Sequence, residues 1–96
     1  DELAPVLASV RVYPNPFSSV INFEIASKLN NPTSVDIFNL KGQHVATLKG
    51  NTEANGKAMI SWNGLDSQGN SLRNGIYLYH AYGNGFTRTG KIVLDK

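Results

Sequence analysis

Apolar and polar residues alternate along this chain with a period of two, in about seven short runs. Gly, Pro, Asn or Asp closes each run after ten residues or so, and no window carries the spacing of an amphipathic helix. That rhythm predicts an all-β fold, an immunoglobulin-like antiparallel β-sandwich of about seven strands. The 96 residues suffice for one such domain, which buries roughly 60–65% of its unfolded surface at this size. There is no cysteine. A disulfide framework and a thiolate metal site are therefore excluded, and with them the Cys…Trp…Cys spacing of antibody domains.

Taken in order, residues 1–8 show no clean period and are expected to link an upstream cargo to a folded body at residues 9–96. Val10 and Val12 flank Arg11 in a first strand, which Tyr13-Pro14-Asn15-Pro16-Phe17 must end. Each proline there fixes φ, lacks an N–H and pushes its predecessor out of the helical region. In residues 20–26 the inward parity holds Ile21, Phe23 and Ile25. Residues 28–32 form a turn by composition, and residues 35–40 and 43–48 pair through Lys41-Gly42. A polar loop at 50–56 precedes a strand at 57–62 with Ala58, Ile60 and Trp62 on one parity, and a long loop covers 63–74.

The last third holds a hairpin turned at Gly83-Asn84-Gly85, residue types that tolerate a positive φ. Its first strand is apolar on both parities, with Ile76 and Leu78 on one face and Tyr77 and Tyr79 on the other. Such a strand belongs in the middle of a sheet, one face on the core and tyrosines lining the other. Its second strand turns Phe86, Ile92 and Leu94 one way and Lys91 and Asp95 the other, and Lys96 closes the sequence. A closing strand of this kind is expected to serve as a terminal address.

Several functions fit poorly. Net charge is only +2, and the nine Lys and Arg never adjoin one another, which is not the footprint of a nucleic-acid binder. No apolar run approaches the ~20 residues of a membrane-spanning helix. The acidic start, Asp1-Glu2, is unlike a signal peptide, so any export leader is expected upstream. His44 and His80 stand apart without metal-ligand spacing, and Ser, His and Asp lack a nucleophile-elbow context. Residues 63–70 lack the alternating acids and closing Glu of a calcium loop, leaving ordinary turn chemistry. No enzyme, metal or cofactor is indicated. Trp62 and the tyrosines could form a platform for sugar, yet a tryptophan sharing parity with Ile60 is expected in the core.

Four stretches carry a family likeness: Val12-Tyr13-Pro14-Asn15-Pro16-Phe17, then Asn39-Leu40-Lys41-Gly42-Gln43-His44-Val45. Asn74-Gly75-Ile76-Tyr77-Leu78-Tyr79 and Gly90-Lys91-Ile92-Val93-Leu94 complete the set. In order and spacing they resemble the type A C-terminal sorting domains of the type IX secretion system, over about residues 9–96. Two positions depart from the family's habit, Asn39 where Asp is usual and Gln43 where Arg is common. The segment from Trp62 to Tyr77 is also similar to the immunoglobulin-like domain of flagellar hook-capping proteins, a likeness of architecture.

The resemblance implies a non-enzymatic secretion signal. Cargo bearing it crosses the periplasm, passes the type IX outer-membrane translocon, and loses the domain to a gingipain-like sortase at the cell surface. It also implies where recognition falls: Tyr13, Pro14, Asn15 and Pro16; Gly42; Gly75 and Tyr77; and Gly90, Lys91, Ile92, Val93, Leu94 and Lys96. Edge-strand pairing by the last hairpin is the expected means. The competing expectations are a carbohydrate-binding or adhesive module and a purely structural immunoglobulin-like spacer.

Overall fold

The computed structural model describes residues 8–27, 31–53 and 55–96. All but Ala8 of the expected linker at residues 1–8, and residues 28–30 of the expected turn at 28–32, lie outside the described residues. Seven strands form: β1 (Ser9–Tyr13), β2 (Ile21–Ala26), β3 (Pro32–Phe38), β4 (His44–Asn51), β5 (Lys57–Trp62), β6 (Gly75–Gly83) and β7 (Phe86–Leu94). Every strand pairing is antiparallel, in one sheet of order β1-β2-β5 and a second of order β4-β3-β6-β7. The immunoglobulin-like sandwich expected from the alternation is the observed fold.

Period-two patterning places the core between the sheets. Ile21, Phe23 and Ile25 of β2 are fully buried against Val35 and Ile37 of β3 and Ile92 and Leu94 of β7. Phe23 sits opposite Ile60, and Ile21 opposite Trp62, so β5 buries the parity its sequence marked. Trp62 is 2% exposed, and its indole N–H donates to the Leu65 carbonyl at 2.9 Å.

The limits of β3 and β4 shift from the expected 35–40 and 43–48 to 32–38 and 44–51. β3 starts at Pro32, where a missing N–H costs least because it is the strand's first residue. β4 continues to Asn51, drawing Gly50 and Asn51 out of the expected loop by pairing them with Thr33 and Pro32.

One face is reversed. β6 is central, between β3 and β7, but its tyrosines do not line the outer surface. Tyr77 is 7% exposed and Tyr79 packs edge-on to Phe23 with centroids 5.3 Å apart, whereas Ile76 is 42% exposed. Periodicity could not choose, because both parities are apolar. Space and hydrogen bonding do. Gly90 lies opposite Tyr79 in β7, and a Cβ at Gly90 would lie 2.6 Å from that ring, so the tyrosine fills the volume the glycine vacates. The Tyr77 hydroxyl donates to the Arg73 carbonyl at 2.7 Å, which removes the cost of burying it. This is the tyrosine corner of immunoglobulin-like sandwiches.

Candidate functional site

The proline-rich stretch after β1 does more than end a strand. With cis peptide bonds at Tyr13–Pro14 and Asn15–Pro16, it carries the chain from the first sheet to the outer edge of the second. There the Asn15 side chain behaves like a piece of strand backbone. Its Nδ2 donates to the Lys91 carbonyl at 3.2 Å, and its Oδ1 accepts the Val93 N–H at 2.9 Å. Phe17 continues the pattern as a parallel bridge with Leu94, its N–H donating to Val93 O (2.9 Å) and its carbonyl accepting Asp95 N–H (2.8 Å). The Phe17 ring drops into the core 5.7 Å from Trp62.

This changes the expected role of the last strand. β7 is an edge strand of its sheet, yet from Lys91 to Asp95 its outward backbone groups are taken by Asn15 and Phe17. A partner strand cannot add there without displacing them, so edge pairing along this stretch is closed. Ile92 and Leu94, both expected recognition residues, are buried and shape the core instead. The side chains left at the surface are those of Lys91, Asp95 and Lys96, with Val93 half-buried between them.

At the same end of this sheet lie the other two motif stretches, one at the β3–β4 turn and one at the start of β6. Asn39 organises the β3–β4 turn: its Oδ1 accepts the N–H of Lys41 (2.9 Å) and of Gln43 (3.0 Å), and its Nδ2 donates to Gln43 Oε1 at 2.8 Å. The two departures from the family pattern thus touch each other. An Asn in place of Asp keeps the acceptor for the turn and gains a donor for the neutral Gln. Gly42, at φ 84°, takes the left-handed position that closes the turn. On the facing side, Lys96 holds the segment before β6: its Nζ donates to Leu72 O (2.9 Å) and its N–H to Asn74 Oδ1 (3.0 Å).

Between the two walls runs an open groove of about 440 Å³, lined by residues 39–41, Gln43 and residues 73–77. Stretches separated by up to 78 residues of sequence therefore come together at one end of the sandwich, with Gly75 and Tyr77 lining the groove, Gly42 closing the turn that forms one wall, and Asn15 against Lys91 and Val93. The Tyr13 hydroxyl instead donates to Glu24 Oε1 at 3.1 Å on the outer face of the first sheet. Gly90 sits one step further along β7, under Tyr79. Phe17 and Asn74 stand in the motif stretches but not among the expected recognition residues, because their contacts are with residues 77 and 22 positions away. Leu40, 64% exposed on the groove, carried the one available signal, an apolar residue in a polar turn.

Electrostatically the site is quiet. Burial pushes the Tyr77 hydroxyl above its ordinary value, with the Arg73 charge opposing weakly, so it is a proton donor in ordinary conditions. Among the described residues no group of three or more His, Cys, Asp or Glu could hold a metal. The loop at 63–70 is turn chemistry throughout: Asp66 Oδ1 accepts the N–H of Gln68 and of Asn70, each at 2.9 Å.

From residue 11 to residue 95 the sequence matches the family described as secretion system C-terminal sorting domain. The chain belongs to that family. It is a C-terminal sorting signal of the type IX secretion system, a role in export to the cell surface or beyond. Similar solved structures include dimeric latent PorU of Porphyromonas gingivalis, at 26% identity and a TM-score of 0.80. That likeness covers 98% of this chain and 10% of PorU. PorZ of the same organism, an essential bacterial surface component of the type IX secretion system, shares the fold at 20% identity and a TM-score of 0.59. It is matched over 91% of this chain and 11% of its own length. No curated protein matches the sequence.

Proposed function

We propose that this domain directs an upstream cargo, after transit of the periplasm, through the type IX outer-membrane translocon, and that a sortase then removes it at the cell surface. The domain itself performs no catalysis. The observation that carries the reading is that family stretches far apart in sequence gather at one end of the sandwich, residues 39–43 beside 73–77 and Asn15 and Phe17 on β7. Within it we assign two jobs. Asn15, Pro16, Gly42, Gly75, Tyr77, Gly90, Ile92 and Leu94 build and brace the surface. Tyr13, Pro14, Lys91, Val93 and Lys96 present it to the translocon. The sugar-platform alternative loses its main residue, since Trp62 is enclosed between Phe17 and Tyr77.

The test is the double variant Lys91→Ala, Lys96→Ala in a secreted cargo. Lys91 is exposed and Lys96 contributes one surface hydrogen bond from its side chain, so circular dichroism and the unfolding midpoint should stay near wild type. Slowed surface delivery of the folded variant supports the assignment. Delivery at the wild-type rate contradicts it.

A further inference from the structure

Resting on that function, we infer that the groove between residues 39–43 and residues 73–77 is where an acidic, apolar-tipped peptide segment of the export machinery docks. Three observations point to this occupant. First, the groove exposes two large apolar side chains, Leu40 and Ile76, at 64% and 42% among the described residues. Water-exposed apolar surface in a concave site is released on binding an apolar side chain. Second, Lys41 and Arg73 line it, and among the described residues no carboxylate does. An unbalanced pair of cations over an apolar floor selects a partner that brings Asp or Glu beside its apolar anchor. Third, both walls are fixed before binding. The Asn39 side chain makes three hydrogen bonds within its turn, while Tyr77 and Lys96 bond the backbone carbonyls of Arg73 and Leu72 and the Lys96 N–H bonds the Asn74 side chain. A preorganised groove loses little conformational freedom on association.

Donors for a peptide backbone stand on the same walls in the side-chain amide N–H groups of Gln43 and Asn74, while the Asn39 amide is engaged within its own turn. An extended segment can therefore lie across the floor, its apolar side chain between Leu40 and Ile76 and its carboxylates toward Lys41 and Arg73. Lys91 lies outside this groove, and Lys96 meets its wall through the bonds to Leu72 O and Asn74 Oδ1.

The experiment uses a reporter carrying the whole chain at its C-terminus, in a bacterium with type IX machinery. Lys41→Glu with Arg73→Glu is compared with the control Lys49→Glu with Lys57→Glu, exposed lysines outside the groove. The groove variant is expected to lower surface delivery about tenfold or more, the effect of one lost charge-assisted contact on an equilibrium. The control and the charge-preserving Lys41→Arg with Arg73→Lys remain near wild type. A photoreactive phenylalanine analogue at position 40 should crosslink to a peptide holding Asp or Glu next to an apolar residue.

Groove variants delivered as well as wild type overturn this inference alone. A wild-type fusion that never reaches the surface overturns the sorting function as well. A crosslinked peptide without carboxylates overturns the charge assignment. Should the fusion bind vesicles bearing purified lipopolysaccharide, and lose that binding with Lys41→Glu and Arg73→Glu, the occupant is an anionic glycolipid and the peptide is wrong.

Discussion

Replacing Asn15 by alanine removes two hydrogen bonds that tie the proline-rich crossing to β7, one from Nδ2 to Lys91 O and one from Val93 N–H to Oδ1. An ordinary intramolecular hydrogen bond contributes about 0.5–1.5 kcal/mol net. Asn15 is exposed, so water replaces part of what is lost, and the expected cost is about 1–2 kcal/mol in total. For a domain of this size that corresponds to a fall in Tm of roughly 5–15 °C. Urea unfolding followed by circular dichroism measures the free energy, and amide hydrogen exchange locates it. The Val93 N–H should exchange faster in Asn15→Ala, while core amides of β2 change only through global stability. Asn15→Asp separates the two bonds. It keeps the acceptor for Val93 but sets a carboxylate oxygen against the Lys91 carbonyl, so stability should fall while Val93 stays protected. An Asn15→Ala variant within ~0.3 kcal/mol of wild type, with unchanged Val93 exchange, would refute the idea that this side chain seals the strand edge.

Other consequences can be checked on the same footing. Tyr77→Phe deletes the bond to Arg73 O and leaves a buried ring, and should cost about 1 kcal/mol in urea unfolding. Gly90→Ala drives a methyl into the Tyr79 ring, with a Cβ placed 2.6 Å from its edge, and should destabilise by about 1–3 kcal/mol; Gly90→Ala with Tyr79→Leu should recover part of that. Asp36 supplies a pH dependence. Burial acts to raise its carboxyl, but hydrogen bonds from Thr47, Tyr82 and His44, with the His44 charge, outweigh it and leave the group below its ordinary 3.8. The stability it contributes is therefore present above pH 3.8 and is lost as pH falls through the lower folded value. Asp36→Asn should flatten that acid limb in a series of urea midpoints.

How far the sequence reveals this molecule differs from element to element. β2 was plain because Ile21, Phe23 and Ile25 alternate with the polar Asn22 and Glu24, and β5 because Ala58, Ile60 and Trp62 share one parity while Lys57, Met59 and Ser61 take the other. β6 offered no such contrast, and its orientation was decided by Gly90 across the hairpin and by a carbonyl at Arg73, neither of which local pattern reports. Proline explained why β1 ends at Tyr13, but not where the chain goes next. Asn15 meets β7 through residues 76 and 78 positions away, a long-range pairing that leaves no periodic trace. The same holds for the groove. Its two walls come from separate hairpins, and an exposed Leu40 in a turn gains meaning only beside Ile76. Motif likeness named stretches without indicating that several of their residues, Tyr77, Ile92 and Leu94 among them, are buried.

The central claim is that residues gathered at one end of this sandwich act as an export address. Fused to the C-terminus of a periplasmic reporter, the chain should bring the reporter to the outside of intact cells, where added protease degrades it, in a strain with type IX machinery and not in one lacking the translocon. A reporter that stays protected from protease in both strains contradicts the account.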